Sequence, residues 1–176
     1  MTATSSTANS AAPVNRPTYH YPPGMPDMTI TREFNAPRAL VWKAITDPAL
    51  VPRWWGRENS PAVVDKMDVR VGGVWRFIGR APDGSEYAFN GVYREITPPQ
   101  RLVQTFEYEG APGHISVETM TLEELGSKTR MTVHSVFDSV EDRDGMVQSG
   151  MEEGASETYD RLEALLQELQ EGRRPA

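Results

Sequence analysis

Between Met28 and Phe34 apolar and polar side chains alternate one for one, the period of a strand with a single buried face. Pro37 suits the first turn of a helix, and Val41, Ala44 and Ile45 then fall on one helical face, widened by Trp42. Asp47-Pro48 stops that helix before a second short helical piece that ends at Trp54-Trp55-Gly56. From Ala62 to Phe137 the period changes to that of strands, broken by Gly72-Gly73, Asp83-Gly84, Pro98-Pro99, Gly110-Ala111-Pro112-Gly113 and Gly126-Ser127. Six strands fit between and around those breaks. Their short connections, and Asp83-Gly84 as a two-residue hairpin signal, predict an antiparallel meander.

Ser139, with Asp142 three residues on, reads as a helix-starting box, and a helical pattern runs from there to about Gly172. Its apolar stripe is Val147, Met151, Ala155, Thr158, Leu162, Leu165 and Leu169; Glu152, Glu153, Glu157, Asp160, Glu163 and Glu168 take the other, solvated faces. The expected fold class is therefore α+β: a curved antiparallel sheet of about seven strands around a long C-terminal helix, with two short helices after the first strand. Residues 1-26 are rich in Ser, Thr, Ala and Pro and are expected to form a loose tail, residues 27-170 one domain, and residues 171-176 a C-terminal tail. Tyr19-His20-Tyr21 allows an alternative for part of the first tail, an extended arm docked on the domain.

Composition narrows what such a domain does. A net charge of -7 and the lack of a basic run longer than Arg173-Arg174 argue against nucleic acid as a partner. Without cysteine there is no disulfide, thiolate nucleophile or Cys-ligated zinc. No apolar run reaches the ~18 residues of a membrane span and no secretory signal opens the chain, so a cytoplasmic protein without a membrane partner is expected.

The histidines, His20, His114 and His134, have no ligand spacing, and neither a nucleophile elbow nor a phosphate cradle is present, so no metal, cofactor or catalytic residue is assigned. Asp65 with Asp68, and Glu123 with Glu124, sit at strand edges where carboxylates are ordinarily solvated. Aromatic rings are concentrated on the strands instead. Alternation places Trp75 with Phe77 on one face, Tyr87, Phe89 and Tyr93 together on the next strand, and Phe106 with Tyr108 on the one after. Gly150 and Gly154, each costing ~1 kcal/mol inside a helix relative to alanine, join Ala155 in a stretch of small side chains. Either the helix backbone packs close to its neighbours there, or the missing side chains leave volume for a ligand.

Three stretches carry a family resemblance: Arg32-Glu33-Phe34-Asn35-Ala36-Pro37 with Val41-Trp42 and Trp54-Trp55-Gly56; Asp68 through Arg76 with its Gly72-Gly73; and Gly150-Met151-Glu152-Glu153-Gly154-Ala155. In order over Met28 to Leu169 they resemble the activator of heat-shock-protein-90 ATPase homologue family of the START-like superfamily. That resemblance implies a helix-grip fold enclosing a hydrophobic cavity. The chain departs from the plan of the eukaryotic co-chaperones it resembles, which carry a separate N-terminal domain for which the residues before Met28 leave no room.

The expected function is thus the binding of a small apolar, aromatic or lipid-like molecule, with Trp75, Phe77, Tyr87, Phe89, Tyr93, Phe106, Tyr108, His134, Met151 and Ala155 as the candidate lining. Two alternatives stand beside it: a co-chaperone-type protein-interaction module, and a cyclase-like enzyme whose acid-base group lies among Tyr87, Tyr93 and His134.

Overall fold

The computed structural model describes residues 15–172, so the expectations for residues 1–14 and 173–176 lie outside them. In chain order the elements are β1 (Thr18–His20), β2 (Asp27–Phe34), α1 (Arg38–Thr46), a 3-10 turn (Val51–Arg53), β3 (Gly56–Arg57), β4 (Ser60–Pro61), β5 (Val63–Met67), β6 (Val74–Arg80), β7 (Glu86–Thr97), β8 (Arg101–Tyr108), β9 (Ile115–Leu125), β10 (Lys128–Val136), α2 (Val140–Gln148) and α3 (Met151–Glu171). Strands β5 to β10 form the meander that the turn chemistry predicts. β2 adds to its far side against β10, giving an antiparallel sheet in the order β1-β2-β10-β9-β8-β7-β6-β5; β3 and β4 make a separate ribbon.

The eighth strand comes from the stretch expected to be a loose tail. β1 pairs with β2 through Tyr19 opposite Ile30, and the Tyr19 hydroxyl donates to the Glu152 carbonyl at 2.9 Å while lying 2.8 Å from Ser156 Oγ. The docked-arm alternative is what the structure shows for Thr18 to His20.

The long C-terminal helix is present as α3, but it does not reach back to Ser139. Ser139 caps α2 as expected, its hydroxyl accepting from the Asp142 amide at 3.0 Å, but the helix ends at Gln148. Gly150, at φ +85°, turns the chain in the left-handed region before α3 begins, so its glycine serves a break and not a helix interior. Gly154 does lie inside α3. A Cβ built there meets only the Arg57 guanidinium, at 3.6 Å, so no close backbone approach demands this glycine.

Leu162, Leu165 and Leu166 of α3 are buried with Phe34 of β2, Val41 of α1 and Met131 of β10 in the larger of two core clusters. Trp75, Phe77, Tyr93 and Leu102, with Val51 and Ala62, form the second. The acidic side chains of α3 stay largely exposed, as at Glu152, Glu153, Asp160 and Glu168, yet several of them bind partners across the fold. Asp160 takes the buried Arg32 at 2.7 Å, Glu168 takes Arg53 at 2.8 Å, and Glu157 accepts the Glu58 amide at 2.8 Å. Arg161 donates to the Gly56 carbonyl at 2.9 Å. α3 is therefore tied along its length to β2 and to the segment around β3.

Two substitutions separate the roles of the glycines. Gly150→Ala is expected to lower unfolding stability by about 1 kcal/mol because alanine resists positive φ. Gly154→Ala is expected to raise it by up to about 1 kcal/mol through helix propensity. Urea unfolding of both proteins checks the pair; equal signs would contradict the assignment.

Candidate functional site

Between the sheet and the N-terminal half of α3 lies a cavity of about 790 Å³ that opens to solvent. Its mouth is framed by residues of the β8–β9 turn and α2, among them the exposed His114, Glu141 and Gly145 and the partly buried Asp142, and by Arg57 of β3. His114 Nδ1 and Asp142 Oδ1 are 2.9 Å apart, joining the turn to α2 across this rim.

Eight of the ten residues expected from the sequence line the cavity: Trp75, Phe77, Tyr87, Phe89, Phe106, Tyr108, Met151 and Ala155. Phe89 is the centre of the aromatic wall. Its ring lies 5.2 Å from Trp55, 5.9 Å from Tyr87, 5.3 Å from Phe106 and 5.2 Å from Tyr108. Two glycines make this arrangement possible. A Cβ on Gly91 would come within 2.4 Å of Trp75 Nε1 and within 1.9 Å of the Thr105 carbonyl oxygen, and one on Gly79 would come within 2.4 Å of the Tyr87 ring. The rings lie over bare backbone, as aromatic side chains do when they cover a cross-strand glycine. Tyr87 is further fixed by its hydroxyl, 2.7 Å from the buried Ser60 Oγ.

Two expectations are corrected. His134 points away from the cavity: on β10 the inward positions are Met131, Val133 and Ser135, and His134 pairs with Asp27 at 2.9 Å on the outer face. Tyr93 does face inward, but it is 3% exposed and packed in the second core cluster, outside the lining. A cyclase-like acid-base role therefore has no support at either position. The carboxylate pairs Asp65 and Asp68, Glu123 and Glu124 are surface partners of Arg76, Arg70, Arg130 and Arg38.

The alternation of β9 held a signal that went unread: Ser116, Glu118, Met120 and Leu122 share one face, and Leu122 is buried. That face is the cavity wall, so Glu118 is an acid in an apolar surround. In register across the sheet, Glu118 stands between Gln104 of β8 and Ser135 of β10. Gln104 Nε2 donates to Glu118 Oε2 at 3.1 Å. Ser135, 1% exposed, has a hydroxyl with no hydrogen-bond partner among the described residues. Loss of water pushes the Glu118 carboxyl up to about 7, and the Gln104 hydrogen bond only partly opposes this. Tyr159, overlooked on the helical stripe, also lines the cavity from α3, and burial with the nearby Glu118 carboxyl raises its phenol.

Among the described residues no group of three or more His, Asp or Glu side chains gathers as a metal site. No described helix is long and apolar enough to cross a membrane.

Residues 35–167 match the family model of Activator of Hsp90 ATPase homolog 1-like protein. No curated protein matches the chain. Among solved structures, one from Arthrobacter aurescens is 30% identical, with a TM-score of 0.79 over 86% of this chain and 91% of that one. One from Mycobacterium smegmatis is 28% identical, with a TM-score of 0.74 over 81% and 91%. One from Rhodobacter sphaeroides is 25% identical, with a TM-score of 0.77 over 85% and 98%.

The carboxyl shift has a sign that stability measurements read. In the unfolded chain Glu118 titrates near 4.5 and in the folded chain near 7, so the folded state holds the proton more tightly. Stability therefore falls as pH rises across that interval. Glu118→Gln is expected to be more stable than the parent at pH 8, by up to roughly 3 kcal/mol, with the difference vanishing below about pH 4. Denaturant unfolding across pH checks it.

Proposed function

The chain belongs to the family of Activator of Hsp90 ATPase homolog 1-like proteins, and from that premise we propose that it is a binding protein for a small molecule with an apolar or aromatic body. The observation that carries this reading is the cavity itself. At about 790 Å³ it falls within the roughly 300–1,000 Å³ of small-molecule sites, and its wall is made of aromatic side chains with a few polar tips. Gly154 supports it further, since α3 carries the cost of a glycine beside the opening with no packing contact that requires one.

Native mass spectrometry of the gently purified protein is expected to show a co-purified small molecule. In a thermal-shift panel of fatty acids, flavonoids, polyketides and aromatic amines, a ligand at about a hundredfold over its Kd stabilises by ~2.7 kcal/mol, roughly 5–10 °C for a chain of this size. Ala155→Trp, which fills the cavity from the helix side, is expected to keep the fold and abolish that shift. No co-purified mass and no shift with any class would contradict the reading.

The family description also supports a second reading, a protein-interaction module acting on a chaperone ATPase. The two separate in one assay: a cavity-binding protein leaves the chaperone's ATPase rate unchanged when added in excess, whereas an activator raises it.

A further inference from the structure

Among the described residues the sheet side of the cavity is mostly apolar, with Ser116, Gln104 and Glu118 as polar side chains beside the phenols of Tyr87 and Tyr108. Cross-strand neighbours in the sheet run Ser135, Glu118, Gln104, with Gln104 opposite Tyr93 beyond. The rows on either side carry Val133 opposite Met120 and Phe106 opposite Ser116. A carboxyl at this position is costly, because an uncompensated charge away from water costs several kcal/mol and a sheet position of this kind takes Val, Leu or Met without penalty. Among the described residues only one of its oxygens has a donor, Gln104.

We propose that Glu118 is the anchor for a protonated amine, and that the ligand of this cavity is an amphiphilic weak base with an aromatic or aliphatic body. The proposal rests on the cavity-binding reading above and names the ligand class of the same site. Three observations converge on it. The first is the carboxyl itself, which lines the cavity within a polar row and has Gln104 as its one side-chain donor among the described residues. The second is the ring cluster of Trp55, Trp75, Phe77, Phe89 and Phe106, whose faces attract a cation that has left water. The third is the sign of the other groups. Glu141 and Asp142 of α2 stand at the mouth with His114, and against these carboxylates Arg57 of β3 is the one lysine or arginine in the lining among the described residues. Arg32 of β2 carries positive charge nearby, but its guanidinium is held by Asp160. Tyr159 of α3 remains a neutral phenol, and Gln104 and Ser135 are neutral neighbours on β8 and β10. A carboxylate ligand would meet Glu118 with like charge, whereas an ammonium supplies the missing partner.

Because a free Glu118 holds its proton to near neutrality, taking up an ammonium releases that proton. Affinity for the amine therefore rises as pH rises from about 5 to 7, by as much as tenfold per unit, while a neutral ligand of the same shape shows no such slope.

The test uses three matched probes on the whole chain by fluorescence titration: naphthylethylamine, naphthylethanol and naphthylacetate. The expected result is that the amine binds at least tenfold more tightly than the alcohol at pH 7.5, that the carboxylate binds more weakly than both, and that only the amine's affinity climbs between about pH 5 and 7. In Glu118→Gln the amine-to-alcohol ratio is expected to fall to near one and the pH slope to disappear. The pH profile of the parent protein tests the proposal even if that variant folds poorly. If the alcohol binds as tightly as the amine, or the amine shows no pH slope, the amine anchor is overturned while cavity binding stands. If none of the three binds, both readings fall.

Discussion

The C-terminal half of α3 is fastened to one side of the sheet, and the rest of the molecule follows from that attachment. Leu162, Leu165 and Leu166 are buried against Phe34 and Val41, the buried Arg32 reaches Asp160, and Arg161 gathers carbonyls from the segment around β3. A helix of 21 residues is about 30 Å long and some 10 Å wide, whereas eight strands at ~4.8 Å spacing make a sheet about 35 Å across. One helix cannot cover it. The side of β6 to β8 must be covered by its own large rings and by the Trp54-Trp55 segment, and the gap left between them and the first turns of α3 is the cavity.

The break at Gly150 belongs to the same constraint. Had α2 and α3 continued as one helix, the chain could not have turned α2 back toward the β1–β2 connection, where the buried Arg143 donates to the Pro22 and Asp27 carbonyls. The turn places α2 at the rim and not over the opening, with His114 and Asp142 meeting there. An enclosed volume thus acquires a route to solvent, and a family whose members share a fold acquires a site whose chemistry is set by the side chains facing inward.

Glu118 is the place where the inner wall of the sheet departs from what packing alone would select. Its strand neighbours are ordinary, its backbone pairing is regular, and only the side chain departs from what a sheet wall needs. Gln104 satisfies one oxygen and the row stops there. On the same inner face the Ser135 hydroxyl and the Trp75 indole nitrogen have no hydrogen-bond partner among the described residues.

Much of this was legible along the chain. Period-two alternation found the strands, Asp83-Gly84 and Gly126-Ser127 found hairpins, and the same alternation brought Trp75, Phe77, Tyr87, Phe89, Phe106 and Tyr108 to one wall, because the direction of a strand side chain is settled by its neighbours two residues away. Alternation applied equally to β9 and β10 would have turned Glu118 inward and His134 outward; residue type drew attention to the histidine instead. The rest was not local. Whether Tyr93 touches the cavity or the core depends on Val51, Leu102 and Trp75, which reach it from three other parts of the chain, and whether Gly150 lies in a helix or ends one depends on where α2 must dock. The sequence by itself determined the elements, their order and the faces they bury. Tertiary structure decided which of those faces remain uncovered, because a cavity is the difference between the surface a sheet presents and the surface its helices can reach, and no window of neighbouring residues contains both.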